Sequence, residues 1–167
     1  MVTGAIKGRQ LGHEWRFTYT VDAISEAPAD PISTRLRADG PSTTTPAVFE
    51  AAARLAMSRY FNVALSAGQV PGVPKIFDLM SEDRRIVGDA KYYTLVQDER
   101  TPPAKFSVIA EHVWLLEKTQ AQTQFLVFGN DRRVPEKWLA KYGVLARRCD
   151  FYFLTAENQL QRLEATR

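Results

Sequence analysis

The segment that decides the fold is residues 75–94, KIFDLMSEDRRIVGDAKYYT. Positions 75–80 and 85–94 are rich in apolar, β-branched and aromatic residues, and this composition predicts two strands. The polar residues 81–84 lie between them, so we expect the two strands to pair as an antiparallel hairpin.

Three charged residues stand out in this hairpin. Asp78 lies among apolar residues of the first predicted strand, where a carboxylate costs free energy unless a partner stabilises it. Asp89 and Lys91 are two residues apart on the second predicted strand, so their side chains should project from the same face of the sheet. Asp78 should lie roughly opposite residues 85–89, and a modest offset or bulge would bring it beside Asp89.

The N-terminal quarter of the chain reads differently from the rest. Residues 14–21 alternate aromatic with polar side chains and predict one half-buried strand. Residues 25–45 are rich in Pro, Ser, Thr, Ala and Asp and predict a loop or linker. The chain therefore divides into an N-terminal strand and loop extension, residues 1–45, and a core domain, residues 46–167.

The core domain alternates helical and strand patterns. Thr45 is a suitable cap, and Pro46 a suitable first residue, for a helix that continues to about residue 60. Residues 61–66 fit either a strand or an extension of that helix. After the hairpin the patterns predict a helix at 107–119, a strand at 124–128, a helix at 135–142, a strand at 150–155, and a polar tail at 157–167 that is compatible with a helix. This order predicts an α/β fold with a mixed β-sheet flanked by helices.

Composition limits the class of protein. The chain has 167 residues, of which 45% are hydrophobic and 25% charged, as in soluble globular domains. It contains no apolar stretch long enough to span a bilayer and no apolar segment typical of a secretion signal, so we expect a cytoplasmic protein without a membrane partner. Cys149 is the single cysteine, which excludes an internal disulfide, and we expect its thiol to be buried or half-buried.

The hairpin acids indicate a chemistry. Two carboxylates close together, with an ammonium beside them, make a plausible site for a hard divalent cation such as Mg²⁺, which prefers oxygen ligands. Such a cation activates water and neutralises charge on phosphorus. Lys91 would orient or deprotonate the water, or stabilise the transition state.

The order of elements and the motif resemble the PD-(D/E)XK nuclease superfamily, the restriction-endonuclease-like fold, over about residues 46–155. The first acid of the family would be Asp78, within Ile-Phe-Asp-Leu, where Phe77 replaces the proline of the name. The second acid and the lysine would be Asp89 and Lys91, within Val-Gly-Asp-Ala-Lys-Tyr. The resemblance implies a core ordered as helix, three-strand meander, helix, strand, helix, strand.

The resemblance also implies further site residues and a cofactor. An acid on the first core helix would be Glu50, although Arg54 four residues later explains it equally well as a surface ion pair. The main-chain carbonyl of Ala90 would be a metal ligand together with Asp78 and Asp89. The cofactor would be Mg²⁺, with Mn²⁺ as a substitute.

The implied function is a metal-dependent DNA endonuclease that hydrolyses phosphodiester bonds with an activated water. A first alternative is a catalytically inactive subunit of the same fold that binds nucleic acid or assembles with other proteins. A second is a protein-interaction module that pairs its N-terminal strand with the sheet edge of another chain. A homodimer or a complex with a partner subunit is compatible with all three.

The charge of the chain leans towards a polyanionic partner. The net charge is +3, and arginine dominates the basic residues. Because the guanidinium group binds phosphate through two parallel donors, paired arginines are candidate nucleic-acid contacts. A solvated basic surface explains the same basic residues equally well. Tyr92 and Tyr93 are candidates for base stacking, but core packing also explains them. His112 is interpreted as a helix-surface residue. The candidate contacts are Arg84, Arg85, Arg132, Arg133 and Lys137.

Overall fold

A computed structural model describes residues 5–11, 14–20, 44–95 and 103–164, with the backbone alone for the first two ranges. This part of the chain forms one eight-stranded sheet with three α-helices and a short 3₁₀ helix. The elements are β1 (Ala5–Leu11), β2 (Glu14–Thr20), α1 (Pro46–Phe61), β3 (Ser66–Gln69), β4 (Ile76–Met80), β5 (Ile86–Tyr93), α2 (Pro103–Lys118), β6 (Thr123–Asn130), α3 (Arg133–Tyr142), the 3₁₀ helix (Gly143–Leu145), β7 (Cys149–Leu154) and β8 (Leu160–Leu163).

The strand order is β1-β2-β8-β7-β6-β5-β4-β3. Strands β5, β6 and β7 are parallel, and all other neighbouring pairs are antiparallel. Helices α2 and α3 form the crossovers between the parallel strands, as parallel pairing requires. The prediction of a mixed α/β sheet flanked by helices is confirmed.

The helices cover both faces of the sheet and create two apolar layers. Helix α1 packs Phe49, Ala53 and Met57 against one face, together with side chains such as Phe125 of β6. Helices α2 and α3 pack against the other face, which contains the larger layer. Burial of apolar surface on both sides explains why the centre of β6, Phe125–Phe128, is continuously hydrophobic.

Local signals explain the limits of α1. The Thr45 side chain accepts a hydrogen bond from the Val48 N–H at 3.3 Å, and Pro46 begins the helix. The helix ends at Phe61 because Asn62 adopts the left-handed conformation, with φ of 54°. Residues 61–66 therefore neither extend the helix beyond Phe61 nor form a separate strand, and β3 starts at Ser66.

Two features differ from the predictions. Strand β1 was not predicted, because its sequence, AIKGRQL, lacks a clear alternation of apolar and polar residues. The helix suggested for the tail was wrong, since residues 160–163 form β8 antiparallel to β7. Asn158, with φ of 59°, turns the chain back, and the burial of Leu160 and Leu163 stabilises the strand.

The helix and strand limits otherwise shift by a few residues. Helix α2 begins four residues before the predicted start, at Pro103, where a proline is tolerated because a first-turn N–H has no intrahelical partner. The N-terminal extension contributes β2, which pairs with β8 through Trp15 and Leu160. Within the described ranges, no helix combines the length and apolar character needed to cross a bilayer.

Candidate active site

The candidate site lies where β4 and β5 separate. Leu79 pairs with Gly88 and Met80 with Val87, and the same register continued by one residue places Asp78 opposite Asp89. At this point of the hairpin, side-chain carboxylates take the place of main-chain carbonyls as acceptors for the strand N–H groups. The Asp78 N–H donates to Asp89 Oδ1 at 3.3 Å, and the Ala90 N–H donates to Asp78 Oδ2 at 3.0 Å. The predicted meeting of the two acids is confirmed.

Asp89 is fully buried, and two lysines and a histidine surround it. Its Oδ2 accepts a hydrogen bond from the Lys91 ammonium. His112 Nδ1 lies 2.5 Å from the same oxygen, and Lys75 Nζ lies 3.3 Å from it. A carboxylate without water needs such partners, since an isolated buried charge is very costly.

Lys91 links the second acid to the main chain. Its Nζ donates to Asp89 and, at 3.1 Å, to the carbonyl of Ala90. Lys91 and Asp89 lie on the face of β5 that α2 covers, whereas Ala90 packs towards α1. The predicted common face of Asp89 and Lys91 is therefore confirmed.

His112 was missed by the sequence reasoning. It was interpreted as a surface residue, but it reaches Asp89 from α2, and only 15% of its side chain is exposed. A signal was available, because positions 109, 112, 113 and 116 follow the spacing of one helix face, and the other three are buried. A histidine inside an apolar stripe predicts a buried polar partner. Lys75, just before β4, was the second residue missed.

The two aspartates differ in ionisation. Burial raises the pKa of Asp78 to about 6, and the hydrogen bond with Asp89 and the negative charge of Asp89 add to this effect. Burial also opposes the charged form of Asp89, but the hydrogen bond with His112 and the charge of Lys91 outweigh it and hold the pKa of Asp89 well below its ordinary value. Relative to a free carboxyl group, the site therefore favours the ionised form of Asp89 and the protonated form of Asp78.

The lysine of the motif is also perturbed. Burial lowers the pKa of Lys91, and the neighbouring Lys75 charge acts in the same direction. The negative charge of Asp89 and its hydrogen bond oppose this shift. A buried amine with a lowered pKa exchanges protons more readily near neutral pH than a surface lysine does.

Glu50 forms an ion pair on helix α1. Its carboxylate is 2.6 Å from the guanidinium of Arg54, the i,i+4 ion pair that the sequence allowed as an explanation. Arg54 in turn donates to the main-chain carbonyl of Asp78 at 3.2 Å. Glu50 thus contacts Arg54 rather than either aspartate, and it is connected to the site through that arginine.

The residues fit a divalent cation by the chemistry of their donors. Among the described residues, no group of three or more His, Cys, Asp or Glu side chains is arranged to hold a metal ion. The available set is two carboxylates and one main-chain carbonyl, from Asp78, Asp89 and Ala90, and oxygen ligands of this kind suit Mg²⁺ and Mn²⁺. The Ala90 carbonyl and the Asp89 carboxylate already bind one cation, the Lys91 ammonium.

The candidate nucleic-acid contacts lie at opposite edges of the sheet. Arg84 and Arg85 form the tip of the β4–β5 hairpin, before β5 begins. Arg132, Arg133 and Lys137 follow the carboxyl end of β6, which pairs with the carboxyl end of β5 through Tyr93 and Asn130. Beyond Asp78 and Asp89 the two hairpin strands separate towards this second edge.

Several of these side chains have acidic partners. Arg133 binds Asp131 at 2.9 Å, and Arg132 binds Glu136 at 2.7 Å. Tyr92 packs against the Phe49 ring, with centroids 5.2 Å apart, which supports core packing for this residue. Cys149 is buried, and burial raises the pKa of its thiol.

Comparisons with protein-family models, curated proteins and solved structures gave no match.

Proposed function

We propose that the protein is a metal-dependent nuclease of the PD-(D/E)XK type, with DNA as its substrate. The observation that supports this most is the convergence of Asp78, Asp89 and Lys91 at the point where β4 and β5 separate. These three residues match the motif in type and order. The element order from α1 to β7 (helix, three strands, helix, strand, helix, strand) also agrees with that fold.

The chain's own residues would divide the work. Asp78, Asp89 and the Ala90 carbonyl would hold Mg²⁺, with Mn²⁺ as a substitute. Mg²⁺ bound there would lower the pKa of a water and neutralise charge developing on the phosphorus. Lys91, with its lowered pKa, would accept a proton from the attacking water as the neutral amine, or would donate a hydrogen bond to a phosphate oxygen as the ammonium.

The substrate would approach from the edge where the hairpin opens. Arg132, Arg133 and Lys137 lie after β6 at that edge, where cationic side chains would bind phosphates on either side of the scissile bond. The Asp131–Arg133 ion pair would compete with such contacts, so Arg133 would have to exchange the Asp131 carboxylate for a phosphate. Because contacts between these cations and phosphates release counterions from the DNA, binding should be sensitive to salt.

A cleavage assay tests the proposal directly. Purified protein would be incubated with supercoiled plasmid, linear duplex and single-stranded DNA, with Mg²⁺, Mn²⁺ or EDTA. We expect cleavage that requires metal and falls at least about a hundredfold in Asp89→Asn and in Lys91→Met. Two charge-matched controls lie outside the site: Asp150→Asn on β7, whose partner is Arg162, and Lys118→Met at the exposed end of α2.

The outcomes distinguish cleavage by this site from cleavage by a contaminating nuclease. Loss of cleavage in the site variants, with normal cleavage by the controls, would support the proposal. Equal cleavage by Asp89→Asn and the wild type would contradict it, because the activity would then arise elsewhere.

One observation favours the inactive alternative. Asp89 already has Lys91, Lys75 and His112 as partners, so its charge is compensated without a metal ion. A subunit that retained the fold for nucleic-acid binding or assembly would keep this cluster for stability alone. Titration calorimetry with Mn²⁺ distinguishes the two functions, since a purely structural cluster has no reason to bind the ion.

A further inference from the structure

We propose that His112 is a positioning residue that presents Asp89 to a divalent cation. This inference rests on the proposed function and adds to it a residue that the motif does not contain. His112 lies on α2, 23 positions after Asp89, and its Nδ1 is 2.5 Å from Asp89 Oδ2.

The two oxygens of Asp89 have different surroundings. Oδ2 faces three cationic or hydrogen-bonding groups, on Lys91, Lys75 and His112. Oδ1 accepts the 3.3 Å hydrogen bond from the Asp78 N–H and faces the other acid. The groups on Oδ2 therefore fix the rotation of the carboxylate so that Oδ1 points towards Asp78.

His112 differs from the two lysines in rigidity. It belongs to the same helix face as Ile109, Val113 and Leu116, which are buried in the core, so the position of its ring is set by the packing of α2. The lysines reach Asp89 through flexible stems. Hydrogen-bond partners that orient a ligand carboxylate typically contribute ten- to a hundredfold to metal affinity.

Mn²⁺ affinity measured by calorimetry tests the role without requiring cleavage. We expect His112→Ala to weaken Mn²⁺ binding at least about tenfold. His112→Asn should retain most of the affinity, because an asparagine side-chain N–H occupies nearly the place of Nδ1. His112→Gln places its N–H further from the backbone and should behave like His112→Ala. Glu111→Ala, on the exposed face beside His112, serves as the matched control.

Thermal unfolding of each variant completes the test. A purely structural role would lower stability in Ala and Gln variants without changing the affinity of the folded protein for Mn²⁺, and that result would overturn the inference. Should His112→Ala fail to fold, the contrast between Asn and Gln decides the question, and equal affinities for the two would overturn it. Absence of Mn²⁺ binding by the wild type would instead contradict the proposed nuclease and this role with it.

Discussion

Asp78 and Asp89 share one opening in the sheet but ionise differently. Asp89 is fully buried and has cationic partners, whereas Asp78 is half-buried and has Asp89 as its nearest charge. Environment therefore gives two carboxylates of the same type opposite shifts in pKa, an arrangement that is common where a cation or a proton must be bound.

The raised pKa of Asp78 predicts a pH-dependent stability. Because the folded-state pKa of about 6 exceeds the ordinary value of 3.8, folding favours the protonated acid, and this stabilisation is complete below pH 3.8 and lost as the pH rises through 6. Asp78→Asn cannot ionise, so it should be more stable than the wild type by about 1 kcal/mol at pH 8, after allowance for solvent screening. At pH 4 the difference should disappear.

Urea unfolding at the two pH values measures this effect. Asp150→Asn is the control, since its carboxylate lies on the protein surface beside Arg162. An Asp78→Asn variant whose gain is the same at pH 4 and pH 8 would show that ionisation of Asp78 does not cause the difference.

The pair Asp89 and Lys91 should be strongly coupled. Asp89→Ala leaves the buried Lys91 ammonium without its main partner and should destabilise the fold by about 3–5 kcal/mol. Asp89→Ala combined with Lys91→Met removes both charges and should cost less than the sum of the two single changes, by about 1–3 kcal/mol. A double-mutant cycle by chemical denaturation gives this coupling directly, and additive costs would contradict the contact.

Among the elements, α1 approaches β6 closely because of one glycine. A Cβ added at Gly129 would overlap the ring of Phe49, a buried residue of α1. This contact fixes α1 on its face of the sheet. Helix α1 in turn places Arg54 against the carbonyl of Asp78, so the docking of the helix bears on the site.

Gly129→Ala should therefore destabilise the protein by about 1–3 kcal/mol through overpacking. The smaller side chain of Phe49→Leu should create room, so that Gly129→Ala costs less in that background than in the wild type. Equilibrium unfolding of the four proteins checks this. An equal cost of Gly129→Ala in both backgrounds would show that the clash lies elsewhere.

For the molecule as a whole, the two groups of basic residues occupy opposite edges of the sheet. Only the edge after β6 coincides with the opening between β4 and β5. If DNA binds over this opening, Arg133→Ala with Lys137→Ala should weaken binding about tenfold at low salt. The same double change should reduce the slope of log affinity against log salt by about 2.

Arg84→Ala with Arg85→Ala provides the matched control, because it removes the same charge at the hairpin tip. We expect this variant to change affinity and salt slope much less, as measured by fluorescence anisotropy with a labelled duplex under non-cleaving conditions. Equal losses in both variants would indicate binding driven by net charge without a preferred edge.

Local patterns in the chain were sufficient for much of this picture. Thr45 and Pro46 predicted the start of α1, and the apolar runs around Asp78 and Asp89 predicted the hairpin. The two-residue period of a strand placed Asp89 and Lys91 on one face. These features depend on contacts between neighbours in sequence, which propensity and periodicity describe well.

Long-range packing decided the rest. His112 meets Asp89 across 23 positions because α2 folds back over β5, and the short β8 exists because its leucines pack onto β7 and the core beneath it. The sequence around His112 and the sequence of β8 do not disclose these partners. Burial and hydrogen bonds to distant segments supply the free energy that holds His112 and β8 in place. The motif was thus readable from the sequence, whereas the surroundings that orient and ionise it arise only when the sheet and helices assemble.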